Sequence, residues 1–342
     1  MPPLFSAVAA SARQLSLLLR CISFANKAEV RISAEGIRFS TEEGSVMEAF
    51  IFLEKALFTS FHYHAPPLSS SQDDPPDPPV FEINLQSLLE TLHIFSLSDP
   101  AVMKRPGEYD ALAAHRLQRH ANLNVFSDHN LGITGVCTFT YDGAGRPLSI
   151  HLSEGGVTTS CDLTLYEARH ATEDIPFDRE ALALKAIIRA SHLLDAVMEL
   201  SSMSPPRLTI IATPSAATSS SRICGSAKMI SFSATGALGS AVVDFIADPA
   251  SETSALETFQ CQHRVCASFD FRLIKATQRA MAAATKVSLR LDDAGVLSLQ
   301  FLVEVDAGPG DNEAVTFVDF RIVPLIDEEG EVPGGTESDD SE

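Results

Sequence analysis

Arg13 and Arg20 stand seven residues apart in "ARQLSLLLRCISFAN". Seven residues is about two helical turns, so both guanidiniums share one face. Leu15, Leu18, Leu19 and Ile22 follow the i, i+3, i+4, i+7 spacing of the opposite, apolar face. Near the other end of the chain, Arg272, Lys275 and Arg279 oppose Leu273, Thr277, Ala280, Met281 and Ala284, and Lys286 joins that row where the helix reaches it. A third stretch sets Lys185, Arg189 and His192 across from Ile187, Leu194, Val197 and Met198, with Asp195 and Glu199 weakening the stripe. Cations in rows on helices pair with phosphates. Such contacts carry no sequence information, and their strength falls steeply with salt. The competing reading of any one helix is a solvated face built from good helix formers.

The rows matter because the chain as a whole is acidic, with a formal net charge of −20. The windows 11–27, 84–94, 184–200 and 270–286 hold nine basic and four acidic residues, so the rest of the chain carries net −25. The helical segments are a positive island in a negative protein. Part of the negative excess lies in 327–342, "DEEGEVPGGTESDDSE", which reads as a disordered acidic tail.

Other residues could do other chemistry. Glu304–Asp306 and Leu291–Asp293 offer carboxylates for a two-metal nuclease, which needs them to converge on paired ions. Both lie at strand ends beside glycine turns, where acids are common anyway. His62 and His64 alternate on a strand end without a third ligand nearby, which argues against a metal site. No Gly-rich loop followed by Lys-Ser or Lys-Thr is present, so nucleotide hydrolysis is not expected of this chain. The reading is a binding protein with no catalytic residues, no metal and no cofactor.

These residues need elements to position them. A short apolar strand, a helix and several alternating strands recur four times. They begin at "LFSAVAA", "VFEINL", "EALALKAI" and "RVCASFDF". "KAEVRISAEGIRFS" (27–40) and "TKVSLRLDDAGVLSLQF" (285–301) are near copies in the first and last units. The fold class is therefore α+β, with two similar domains of two β-α-β-β-β units each, helices on the inner face and sheets outside. The expected domains are 1–162 and 178–326, joined by a linker at 163–177. Pro-, Ser- and Asp-rich insertions are read at 64–79, 96–122 and 213–226. Edge strands are expected at Cys137–Tyr141 and Gly239–Phe245, open to pairing with a neighbouring subunit. The six cysteines are scattered without a C-x-x-C, which fits a reducing compartment. No apolar run reaches membrane-spanning length, and the N-terminus is apolar early and basic late, the reverse of a secretory signal.

The ending "RIVPLIDEEGE" resembles that of eukaryotic DNA sliding clamps of the PCNA type. "GRPLSIHLSEGGVTTSCDL" (145–163), "LETFQCQHRVCASFDF" (256–271) and "KVSLRLDDAGVLSLQF" (286–301) resemble the Rad-one family of subunits in the nine-one-one checkpoint clamp. The resemblance implies a nuclear, ring-shaped heterotrimer with Rad-nine-like and Hus-one-like partners. A dedicated clamp loader would place it on double-stranded DNA without sequence specificity, where it recruits repair and checkpoint proteins. It also implies that Arg13, Arg20, Lys27, Lys185, Arg189, His192, Arg272, Lys275, Arg279 and Lys286 face DNA. The second helix departs from the family pattern, carrying only Glu90 and His93, and Arg105, Arg116 and Arg119 nearby are candidates to compensate. An apolar partner-peptide groove under the linker would have Leu163, Leu165, Tyr166, Ile175, Phe177 and Pro324 as walls; the alternative is that these pin the linker. Competing functions are a 3′→5′ exonuclease and a replicative-type homotrimeric clamp.

Overall fold

The computed structural model describes residues 3–65, 78–94, 135–154, 156–168, 174–214, 228–246, 254–305 and 314–326. The tail 327–342, most of the three insertions, Arg105, Arg116, Arg119 and Asp306 lie outside them.

The first unit runs β1 (Phe5–Ala9), α1 (Ala12–Cys21), β2 (Lys27–Ile32), β3 (Gly36–Glu43) and β4 (Met47–Glu54), with β5 (Ser60–Tyr63) after a single 3-10 turn. The second has β6 (Val80–Asn84), α2 (Leu85–His93), β7 (Val136–Tyr141), β8 (Leu148–Glu154) and β9 (Val157–Leu163), followed by the two-residue β10 (Tyr166–Glu167). The third has β11 (Leu182–Arg189), α3 (Ala190–Ser201), β12 (Arg207–Ala212), β13 (Lys228–Gly236), β14 (Gly239–Ile246) and an added β15 (Leu256–Cys261). The fourth has β16 (Val265–Asp270), α4 (Phe271–Ala276), α5 (Gln278–Ala283), β17 (Lys286–Asp292), β18 (Leu297–Val305) and β19 (Ala314–Ile322). The four-unit order is as expected from the sequence; β5, β10 and β15 are additions to it.

Helix starts follow local chemistry. Ser11 accepts from the Gln14 N–H at 3.3 Å, Asn84 from Ser87 at 2.9 Å and Asp270 from Arg272 at 2.8 Å, each satisfying a donor that a helix leaves unpaired at its first turn. The expected single helix over 272–284 is broken at Thr277. Its N–H and hydroxyl both donate to the Ile274 carbonyl, at 3.1 and 2.8 Å, tightening one turn and separating α4 from α5.

A ten-stranded sheet runs β10-β6-β2-β3-β4-β19-β18-β17-β11-β15. It is palindromic in role, because first-unit strands on one side of the β4–β19 junction mirror fourth-unit strands on the other. β2 and β17, the near-identical stretches, are mates in that mirror. A five-stranded sheet (β5-β1-β7-β8-β9) and a four-stranded sheet (β14-β13-β12-β16) complete the fold. β14 is an edge strand as expected. The expected edge at Cys137–Tyr141 is corrected: β7 lies between β1 and β8, and the edges of that sheet are β5 and β9.

The core is continuous from Phe5 to Ile322. Phe301 and Phe320 meet edge to face with centroids 5.7 Å apart. Phe81 and Tyr141 join the large sheet to the five-stranded one at 5.0 Å. The helices pack side by side in the order α2, α1, α5, α3. Among the described residues no helix is long and apolar enough to cross a membrane.

Candidate nucleic-acid interface

The helix row gathers six of the ten predicted cationic positions. In α1, Ala12, Leu15, Leu18 and Leu19 are buried, while Arg13 and Arg20 are exposed. In α4 and α5, Phe271, Leu273, Ile274, Ala280 and Met281 are buried, while Arg272, Lys275 and Arg279 are exposed. His192 is exposed on α3. Arg272 points toward Glu43 at 3.3 Å and Asp270 at 3.8 Å while keeping most of its surface in solvent.

The other four lie on strands: the helical placement expected for Lys185 and Arg189 is corrected, the helix does not reach Lys286, and Lys27 opens the strand at whose start it was expected. Leu184, Ala186 and Ile188 of β11 are buried on alternate positions, so Lys185 and Arg189 project from the face away from the helices. Helix α3 starts only at Ala190, and its buried stripe is Leu193, Ala196, Val197 and Leu200, leaving Met198 exposed. Lys286 opens β17 and pairs in register with Arg189; Glu257 answers both, at 2.8 and 3.8 Å. Lys27 opens β2, bonds Glu82 at 3.1 Å and sits 4.5 Å over the Tyr166 ring. The mirror-related lysines Lys27 and Lys286 are thus both neutralised on the outer face.

This sorting sharpens the charge pattern. The two central helical segments, α1 and α4–α5, carry Arg13, Arg20, Arg272, Lys275 and Arg279 and no acid. The flanking helices carry Glu90 in α2 and Asp195 and Glu199 in α3, with no Lys or Arg. Positive charge concentrates where the first and fourth units meet.

The six residues considered for a peptide groove are divided. Leu163 and Ile175 are buried and Leu165 packs against the core. Tyr166 lies under Lys27, Phe177 faces Arg290 at 5.6 Å, and Pro324 packs beside Gly295. Ile175 is clamped by its backbone: its N–H donates to Glu48 at 3.0 Å and its carbonyl accepts from Arg321 at 2.7 Å. Arg321 also pairs with Glu48 at 2.9 Å, and Arg38 holds Asp174 at 2.9 Å. Burial pushes the Glu48 carboxyl above its usual range, opposed by the Ile175 N–H and then by Arg321. The cleft of about 510 Å³ between linker and sheet is polar, with Glu29, Arg31, Glu42, Glu48, Glu82 and Asp174 on its walls.

An apolar cleft that the sequence reading missed lies farther along the same face. It holds about 340 Å³ and is lined by Phe50, Phe52, Leu57, Val315 and Phe317. Its signal in the sequence is "AFIFL" and "VTFVDF", strands apolar on both faces although one side meets solvent. Among the described residues no three His, Cys, Asp or Glu side chains are grouped so as to hold a metal ion. Asp292 is buried and accepts N–H bonds from Val296 at 2.8 Å and Asp178 at 3.2 Å, fastening the end of the linker.

Comparison with solved structures gives the fold. Proliferating cellular nuclear antigen from Entamoeba histolytica matches with a TM-score of 0.63 at 15% identity, covering 95% of this chain and 100% of that one. The architecture is that of the PCNA sliding clamps. Among curated proteins, the DNA damage checkpoint control protein rad1 of Schizosaccharomyces pombe is 27% identical over 325 residues, 94% of this chain and 87% of that protein. The human cell cycle checkpoint protein RAD1 is 27% identical over 312 residues, 91% and 88% of the two chains. A protein of Mycosarcoma maydis named DNA repair exonuclease REC1 is 25% identical over 279 residues, 67% of this chain and 59% of that protein. The family described as "Repair protein Rad1/Rec1/Rad17" matches residues 4–303, and the chain belongs to that family.

Proposed function

We propose that this protein is one subunit of a ring-shaped DNA clamp acting as a platform in DNA damage checkpoint signalling and repair. The observation that carries the reading is the acid-free run of five cations on α1, α4 and α5, on the helix layer of a PCNA-type fold whose overall charge is strongly negative. A helix layer of this kind holds the phosphates of double-stranded DNA without reading bases. The edges of β9 and β14 pair with two different neighbours, a Rad-nine-like and a Hus-one-like subunit, closing a heterotrimer in the nucleus. A separate loader opens the ring, and the Phe52–Phe317 cleft receives apolar anchors of repair and checkpoint proteins. The platform role needs no catalytic residue.

The test is a ring containing Arg13→Glu, Arg20→Glu, Arg272→Glu and Arg279→Glu together. The expected result is an assembled ring of unchanged mass that no longer retains DNA in a salt-sensitive way. Retention equal to the unaltered ring would remove the charge argument. An exonuclease reading requires metal-dependent DNA degradation that survives purification and disappears in a carboxylate variant.

A further inference from the structure

Lys185 stands on the outer face of the ten-stranded sheet, directly across from Arg290 of β17. Like charges directly opposite one another destabilise a sheet. The repeat supplies a comparison within the same chain. Arg31 holds the place in β2 that Arg290 holds in β17, four residues after Lys27 and Lys286 respectively. Arg31 also faces a cation, Arg38 of β3. There each cation has a carboxylate, Glu29 at 3.4 Å from Arg31 and Asp174 at 2.9 Å from Arg38. In the other half Arg290 reaches only Asp319, at a looser 3.9 Å. Among the described residues no carboxylate stands within ion-pair distance of Lys185. Arg179, exposed just past the linker, adds a third cation and acts on both Arg290 and Asp319. Asp178 beside it is occupied by the N–H groups of Glu180 and Ala181, at 2.8 and 3.2 Å. Arg321, the remaining charge acting on both Arg290 and Asp319, is paired with Glu48 at 2.9 Å. Burial pulls the Arg290 guanidinium below its usual range, opposed by Asp319.

Resting on the platform reading, we propose that Arg179, Lys185 and Arg290 form a subsite for the phosphate of a phosphorylated peptide carried by a partner protein. Three cations against Asp319 leave two positive charges in excess, and a phosphoserine carries about −1.5 to −2 near neutral pH. The two guanidiniums offer forks for paired phosphate oxygens, and Lys185 offers a point charge. Arg290, 15% exposed, is the floor of the subsite, while Lys185 is half-buried and Arg179 exposed. The Arg290 fork is already fixed: its Nη2 donates to the Ser298 hydroxyl at 3.1 Å, and its centre lies 5.6 Å from the Phe177 ring. A fork held in place loses less freedom on binding. The repulsion between Lys185 and Arg290 is relieved when a dianion arrives, so the strain of the free chain favours the bound one. The subsite is on the sheet face turned away from the helices, and a ring holding duplex DNA leaves it open to a partner.

The experiment uses the full chain co-expressed in its ring, with anisotropy of a fluorescein-labelled peptide, Gly-Ala-phosphoserine-Ala-Gly, beside its unphosphorylated twin. The ring should bind the phosphopeptide and not the twin. Arg179→Ala and Lys185→Ala should each weaken binding at least about ten-fold, as loss of a charged hydrogen-bond donor does, and Lys185→Arg should keep it. Lys185→Glu should abolish binding and raise the melting temperature of the ring, because it turns a like-charge pair with Arg290 into an opposite-charge one. Misfolding cannot produce that combination. The ring with Arg13, Arg20, Arg272 and Arg279 all changed to Glu should keep the phosphopeptide. Its loss there would place the peptide on the helix layer and overturn the subsite. Equal binding of the twin, no binding by the unaltered ring, binding unchanged by Lys185→Glu, or a melting temperature that this variant does not raise would each overturn it too. None of these readouts measures duplex retention, so the clamp reading stands or falls on its own test.

Discussion

Replacing Arg321 by Met tests how the linker is held to the sheet. The change removes an ion pair to Glu48 at 2.9 Å, the donor to the Ile175 carbonyl at 2.7 Å and a cation–π contact to Phe50 at 5.4 Å. Only 14% of the Arg321 side chain and 11% of Glu48 are exposed, so water does little to replace what is lost. Removing one partner of a pair this buried costs about 3–5 kcal/mol when the other stays charged. Glu48 has an escape. Burial already holds its carboxyl above the usual carboxylate range, and Arg321 is one of the groups opposing that shift. Without Arg321 the folded-state pKa rises further. An acid whose folded pKa exceeds its unfolded one contributes fully below the unfolded value and loses that contribution as pH rises through the folded one. The penalty of Arg321→Met should therefore be about 3 kcal/mol near pH 8 and shrink as pH falls and Glu48 takes up a proton. Urea unfolding followed by circular dichroism at both pH values measures it. Adding Glu48→Gln removes the stranded charge yet keeps an acceptor for the Ile175 N–H, so it should recover stability near pH 8. A penalty independent of pH, or no recovery in the double variant, refutes the reasoning.

Two further outcomes are expected. Iodoacetamide at about pH 8 should label the exposed Cys266 in the folded protein, while Cys21 and Cys137, buried and with thiols pushed up to about 12, react only after unfolding; mass spectrometry of timed digests reads this. Val242→Glu, on the edge strand β14 where Val242 is 57% exposed, should leave the melting temperature of the chain unchanged but remove one neighbour from the co-purified ring.

The helix faces at Arg13–Ile22 and Arg272–Met281 were legible because apolar residues at helical spacing leave only one way to bury them. The third stripe misled for a definable reason. Lys185, Arg189 and His192 satisfy helical spacing, but the same window also alternates at Leu184, Ala186 and Ile188, and pairing with β17 on one side and β15 on the other decides for strand. Strands β10 and β15 depend on partners 68 to 86 residues away, Glu82 and Lys185 among them, so local pattern carries little of their signal. The break at Thr277 turns on one buried hydroxyl reaching one carbonyl, a choice that residue type does not dictate. Arg20 and Arg279 line one cleft from opposite ends of the chain, and only the packing of α1 on α5 brings them together.

The junction of β4 with β19 sets a timetable for biosynthesis. Residues 47–54 must wait for residues 314–322, about 260 positions later. At a synthesis rate of roughly 5–20 residues per second, the delay is on the order of 13–50 seconds. During that interval β4 presents an apolar strand, "MEAFIFLE", with one side unpaired. A nascent chain halted before Ala314 keeps that strand open indefinitely. Ribosome stalling or termination after β4 and before β19 is complete, rather than damage to the helix layer, is then the event most apt to drive this protein into aggregates.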